Sequence, residues 1–199
     1  MAITNGYATL ADVKNSLKIT DNMDDSLLEI AVESASRLID GYTGRYFYNG
    51  GTATRNYAAS DSWMCFIDDL QSLSELATTD EVGNSYTTWT ANDYQLEPLN
   101  GLSGGMTQPY TSIRAVKQYV FPFLADRALV KVTGVWGWAS VPMAVKQATI
   151  LQAARIFKRN DSPLGVAGFG DMGVVRVGSR LDPDVQHLVD PYRSMRNFA

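Results

Sequence analysis

Chemistry in this chain would have to come from few groups. It holds one histidine, His187, and one cysteine, Cys65. A thiolate–imidazole pair needs both in one place, and they lie in segments of unrelated character. Cys65 stands between Met64 and Phe66 and reads as a small buried apolar side chain. His187 stands beside Leu188 in a short amphipathic run and reads as a half-exposed helix residue. One cysteine allows neither an internal disulfide nor a cysteine-rich zinc site, and a Ser–His–Asp arrangement is not expected. Adjacent acids occur at Asp24-Asp25, Asp68-Asp69 and Asp80-Glu81. The first reads as a helix start and the third as a turn. Asp68-Asp69 could hold a cation at a loop, but no EF-hand spacing surrounds it, so a turn at a strand end is expected.

One glycine motif deserves a test. Gly168-Phe169-Gly170-Asp171-Met172-Gly173 spells G-x-G-x-x-G. A dinucleotide site needs that motif after a strand and at the start of a helix. Here it follows a helical stretch and a Ser162-Pro163 break, and leads into Val174, Val175 and Val177. A nucleotide site is therefore not expected. The glycines Gly165, Gly168, Gly170, Gly173 and Gly178 read instead as an extended arm that can lie close to another surface and order on it. No cofactor or metal is expected, and an enzyme is the least expected class.

The elements around these groups are clearer than the groups themselves. Thr9 to Leu17 reads as a helix, with Thr9 and Asp12 forming a capping box. Asp24 to Tyr42 reads as a second: Leu27, Leu28, Ala31, Val32, Ala35, Leu38, Ile39 and Tyr42 recur at helical spacing, and Gly44 closes it. From residue 46 to 138 Tyr, Trp, Thr, Val and Gly dominate. Strands are expected at Ser62–Ile67, Ser85–Thr90, Tyr94–Glu97, Ile113–Phe121 and Ala128–Val135, with loops at 80–84 and 100–109. A third helix starts with Pro142 as its first residue and runs to Arg159, apolar over more than one stripe. Asp182 caps a last short helix carrying Val185, Leu188, Val189 and Tyr192. The fold class is α+β: a bundle of three main helices and a short fourth (residues 1–45 and 139–162), an inserted antiparallel β module (46–138), and a Gly-rich C-terminal arm with the short helix (163–199).

Composition narrows the partners. The 199 residues are 45% hydrophobic and 19% charged, with a formal net charge of -4. That balance argues against a protein gripping nucleic acid by its phosphates, though not against a wall past which DNA slides. No apolar run approaches the roughly 20 residues of a membrane span. The opening residues lack a basic n-region and an apolar h-region, so no leader peptide is expected, and one cysteine suits a reducing cytoplasm.

The order of these parts, with several short motifs, resembles the head–tail connector, or head-completion adaptor, proteins of long-tailed bacteriophages. The matching residues are Leu10-Ala11-Asp12-Val13-Lys14, Asp24-Asp25-Ser26-Leu27-Leu28 and Ile39-Asp40-Gly41-Tyr42-Thr43-Gly44-Arg45. Pro109-Tyr110, Val132-Thr133-Gly134-Val135-Trp136-Gly137 and Val141-Pro142 continue the series. The resemblance implies a virion neck protein assembled in the host cytoplasm. It would form a ring of twelve copies under the portal, extend the DNA channel without sequence-specific binding, and offer a docking surface to a stopper or tail-completion protein. It also implies that the C-terminal segment reaches the portal, through Gly165, Gly168, Phe169, Gly170, Gly173, Val174, Val175, Val177, Tyr192, Arg193, Arg196 and Phe198. Deleting everything from Gly165 is then expected to leave a folded protein that no longer binds portal.

A closed ring needs two unlike faces on each subunit. The broad apolar girths of the second and third helices offer Leu28, Ala35, Ala144, Ala148, Leu151 and Ala154. A large charged residue at Ala148 or Ala154 is expected to block ring closure more than folding. Asp68, Asp69, Asp80 and Glu81 are candidates for lining the channel. Two rivals stand beside this reading: a stopper or tail-completion protein, and a β-type module holding a ligand through Trp63, Trp89, Trp136 and Trp138.

Overall fold

A computed structural model describes residues 3–80, 85–123, 127–159, 166–168, 174–176 and 181–194. The chain divides into a helical unit, residues 1–47 with 141–199, and a β unit, residues 48–140. Helices and an antiparallel sheet, segregated along the chain, make the fold α+β.

The helical unit holds α1 (Leu10–Leu17), α2 (Asp25–Thr43), α3 (Met143–Lys158) and α4 (Pro183–Val189). Thr9 caps α1 through the expected box: its hydroxyl accepts the Asp12 N–H at 3.1 Å while Asp12 accepts the Thr9 N–H at 2.9 Å. Lys146 of α3 reaches the same carboxylate at 2.9 Å. The Thr9 hydroxyl bond, with Lys146 adding to it, lowers the Asp12 pKa to about 2. Lys14 Nζ meets Asp25 Oδ1 at 2.7 Å, fixing α1 against the start of α2. Val13, Leu28, Ala31, Val32, Ala35 and Ala153 close into one apolar core. Two departures from expectation are local. Pro142, with ψ 143, is the cap before α3 and not its first residue. Asp24 precedes α2 but makes no side-chain cap bond.

A short antiparallel pair, β9 (Val166–Gly168) with β10 (Val174–Arg176), lies between α3 and α4 in sequence. The glycine motif begins in β9, and the residue after it, Val174, starts a strand. That is not the helix a dinucleotide site requires.

The β unit is a sheet of order β1-β8-β2-β7-β4, with β3 added to β2. Its strands are β1 (Asn49–Tyr57), β2 (Met64–Thr78), β3 (Thr87–Thr88), β4 (Tyr94–Glu97), β7 (Tyr110–Ala115) and β8 (Val130–Gly137). A two-strand hairpin, β5 (Leu102–Ser103) with β6 (Met106–Thr107), occupies the stretch expected to be loop. In β8, Val130, Val132, Gly134 and Trp136 are buried and alternate with half-buried neighbours. The core adds Cys65, Ile67, Leu70, Leu76, Trp89, Ile113 and Phe121. Gly134 answers a contact: a Cβ there would stand 2.3 Å from Ser72 O and 2.7 Å from a Leu70 methyl.

Three expectations change here. β2 does not stop near Ile67; it continues to Thr78, and Asp68-Asp69 sit where its register with β7 shifts between Phe66 and Leu70. That irregularity absorbs two extra residues on β2, so the acid pair marks a break in the ladder inside the strand and not its end. β7 ends at Ala115 and not near Phe121, and Lys117 has φ 60. β1 was not expected from its composition. It is an exposed edge strand that owes its shape to its ladder with β8.

Candidate assembly surfaces

The segment Ile39–Arg45 is where the helical unit ties its chain ends together. Tyr7 lies buried against α2; its N–H donates to Ser36 Oγ at 3.1 Å and its hydroxyl donates to Asp40 Oδ1. Arg37 Nε lies 2.8 Å from the other Asp40 oxygen. Burial nevertheless holds the Asp40 carboxyl above its usual range, and burial, then the bond to Asp40, raises the Tyr7 phenol. The Phe47 N–H donates to the Tyr7 hydroxyl at 2.9 Å. Rings then meet edge to face, Tyr7 on Phe47 at 5.6 Å and Phe47 on Tyr192 at 5.8 Å between centroids. Tyr42 donates to Asp190 Oδ1 at 2.5 Å, and the Arg193 guanidinium lies 4.8 Å from the Tyr42 ring centroid. The Ser194 N–H donates to the Thr43 carbonyl at 2.7 Å, satisfying an oxygen that the end of α2 leaves open. Gly44, with φ 67, turns the chain out of the helix.

This arrangement bears on two arm assignments and corrects one. Tyr192 is buried in the helical unit and serves the subunit's own packing, while Arg193 lies over the Tyr42 ring but stays exposed. α4 is likewise docked: Val185 and Val189 are buried, Arg155 of α3 pairs with Asp182, and Gln186 donates to the Leu181 carbonyl at 2.7 Å. A deletion from Gly165 would strip these contacts away, which counts against the expectation that it leaves a folded protein. Gly168, Val174 and Val175 lie in β9 and β10. Gly165, Phe169, Gly170, Gly173, Val177, Arg196 and Phe198 lie outside the described residues.

The interface residues divide. Leu28, Ala35 and Ala148 are wholly buried in the isolated chain. They belong to the subunit's own packing, and a charge at Ala148 would break folding before it touched assembly. Ala144, Leu151 and Ala154 are only half-buried. What the periodicity did not separate is a second face of α2, where Leu27, Ile30 and Leu38 remain exposed, with Met23 just before the helix.

The β unit occupies most of its tryptophans internally. Trp89, Trp136 and Trp138 are buried, and their indole N–H groups donate to Thr78 Oγ1, Ala53 O and Asp69 Oδ2, each at 2.8 Å. Trp63 alone of the four is exposed. This disfavours the aromatic ligand-holding reading. Asp68 accepts from Arg55 and Tyr57 at 2.8 Å, so it and Asp69 serve different partners instead of one cation. Asp80 is exposed, and Glu81 lies outside the described residues. Cys65 is buried in this unit, while His187 is exposed on α4 of the other. A Gly-x-Ser-x-Gly spelling does occur at Gly101–Gly105, which sequence reasoning passed over. Its Ser103 is an exposed residue of the β5–β6 hairpin, without the strand-to-helix turn a nucleophile elbow needs. Among the described residues no group of three or more His, Cys, Asp or Glu could hold a metal ion, and no helix is long and apolar enough to cross a membrane.

Residues 7–64 match the model of the phage gp6-like head-tail connector protein family. The fold as a whole is similar to solved neck structures. One is a chain from the neck of an empty GTA particle computed with C6 symmetry: 17% identical, covering 98% of this chain and 94% of that one, with a TM-score of 0.60. Another is from the neck of a native GTA particle computed with C12 symmetry: 18% identical, covering 98% and 93%, with a TM-score of 0.53. No curated protein matches the sequence.

Proposed function

We infer that this chain is a head–tail connector of the gp6-like kind and that it works as a structural adaptor in the neck of a phage particle. The observation that carries the reading is a coincidence of two matches: the family model spans the helices α1 and α2, and the fold follows neck chains over 98% of the chain. In this reading the protein forms a cyclic ring beneath the portal and extends the path of the DNA. It presents its other side to a stopper or tail-completion protein. The cyclic symmetry of the two similar necks supports a ring, and twelve copies would accord with the C12 case. The exposed apolar residues of α2 support self-association, since monomers rarely leave such a row uncovered. The net charge of -4 suits a wall that does not retain DNA. The work is done by fit between surfaces and not by a reaction.

The test is genetic and visual. A phage carrying a stop codon early in this gene should accumulate DNA-filled heads and free tails that do not join. Supplying the protein should restore joined particles, and rings should be seen by negative stain when it is mixed with portal. Normal joined particles in its absence would overturn the reading.

A further inference from the structure

We propose that the segment after Ser194, residues 195–199, folds back over the C-terminal end of the exposed row on α2 and covers Leu38 in the free subunit. This strap keeps that end of the row from joining another copy until it is lifted. It concerns the single chain and goes beyond the neck reading.

The row is apolar, exposed and narrow. Met23, Leu27, Ile30 and Leu38 are 88%, 44%, 48% and 41% exposed. At about 100° per residue they share an arc of roughly 80° with Ser34 and Gly41. This arc is turned away from Leu28, Val32, Ala35 and Ile39, which are buried on the helix's other side. No charged residue lies within it. The acids of α2 are engaged elsewhere: Asp25 with Lys14, Glu33 with the Thr4 and Asn5 N–H groups, and Asp40 with Tyr7 and Arg37. Apolar contact and reach, not charge, therefore select what covers the row.

The C-terminal segment starts beside this arc. Tyr42 stands roughly 40° round from Leu38 and about 6 Å further along the helix. The Arg193 guanidinium lies 4.8 Å from the Tyr42 ring centroid, and Ser194 gives its N–H to the Thr43 carbonyl at 2.7 Å. The main chain is thus fixed at Ser194, just past the C-terminal end of the row. Met195, Arg196, Asn197, Phe198 and Ala199 follow, outside the described residues. Met195 and Phe198 are large and apolar.

Reach decides how much they cover. Five residues span at most about 17 Å. Counted back from Thr43 along the helix, Leu38 lies about 8 Å away, Ile30 about 20 Å and Leu27 about 24 Å. A strap of this length lies over Gly41, Leu38 and Ser34 and ends short of Leu27. Gly41 leaves it room, since a Cβ there would meet nothing within 4 Å. The short tether from a fixed start gives a high effective concentration, so two apolar side chains can hold the strap down. The other end of the row, from Met23 to Leu27, stays open.

The test is thiol labelling in the full chain, at dilutions where the protein runs as a monomer. The native Cys65 is wholly buried and stays silent. Leu38→Cys and Leu27→Cys are each made with and without the pair Met195→Ser and Phe198→Ser, and all four proteins are checked for native circular dichroism. A strap seated about nine-tenths of the time should slow labelling of Leu38→Cys roughly tenfold, and the serine pair should abolish the slowing. Leu27→Cys lies beyond reach and should label at one rate in both backgrounds. Equal rates for Leu38→Cys with and without the serine pair would overturn the strap. So would an equal change at Leu27→Cys, or a protection of Leu38→Cys that grows with protein concentration, which would name a second copy as the cover. None of these outcomes touches the neck reading, which stands on family and fold.

Discussion

In the β unit three of four tryptophans are buried, and each gives its indole N–H to an oxygen of that unit. In the helical unit α2 leaves Leu27, Ile30 and Leu38 exposed along its length. The β unit also exposes bulky groups: Trp63 at the entry to β2, Phe66 within that strand, Leu102 in β5, and Val120 and Phe123 after β7. The contrast is between single apolar residues scattered over loops and strands, which is ordinary, and a regular apolar row along a helix, which is less so. It teaches that one unit buries most of its tryptophans and pairs them from within, while the other keeps an ordered apolar row at its surface.

The two regions can be probed separately, because all four tryptophans lie in the β unit. Indole fluorescence therefore follows that unit, and ellipticity at helical wavelengths follows the other. The largest effect is expected for Tyr192→Ala. Removing a buried ring packed edge to face on Phe47 should cost the helical transition about 3 kcal/mol. Urea titrations read by both signals should show the helical midpoint falling well ahead of the fluorescent one. If the two midpoints fall together, the units are not separable in this way. Gly134→Ala should do the reverse. Its methyl would press into the Ser72 backbone, and overpacking of this kind costs about 2 kcal/mol, seen first in fluorescence.

The smallest effect is expected at the α1 cap, where Thr9→Ala should cost about 1 kcal/mol in the helical transition. It carries a pH signature. The Asp12 pKa is lowered from 3.8 to about 2 in the folded chain. Its contribution is therefore present above the unfolded value and lost as pH falls toward 2. The Thr9 hydroxyl is the chief cause, so Thr9→Ala should flatten this acid limb. Thermal melts between pH 5 and pH 2, taken in roughly half-unit steps, would show an unchanged limb if the assignment is wrong.

Local chemistry made much of this legible from sequence. Thr9 with Asp12, Gly44, Asp182 before Pro183, and the alternation from Val130 to Trp136 each act within a few residues, and each stands where expected. What could not be read depends on distant partners. β1 has the sequence NGGTATRNY, with no apolar alternation, and is a strand only because β8 offers it a ladder. Asp68-Asp69 looked like a strand end because a bulge breaks periodicity in the same way a turn does. On α2 and α3 the candidate interface mixed core with surface: Leu28, Ala35 and Ala148 face inward, while Leu27 and Ile30 face out. Periodicity reports that two apolar stripes exist; only packing decides which one the subunit uses itself.

The knot of Tyr7, Asp40, Phe47, Tyr192 and Ser194 has a consequence for biosynthesis. Tyr7 is translated early, but the ring that completes its surroundings comes 185 residues later, and the helical unit cannot close until residue 194 clears the ribosome. The β unit, whose sheet strands all fall between Asn49 and Gly137, can fold while still tethered. A nascent chain therefore lacks a finished helical unit until its last turn is free, and the two units mature at opposite ends of synthesis.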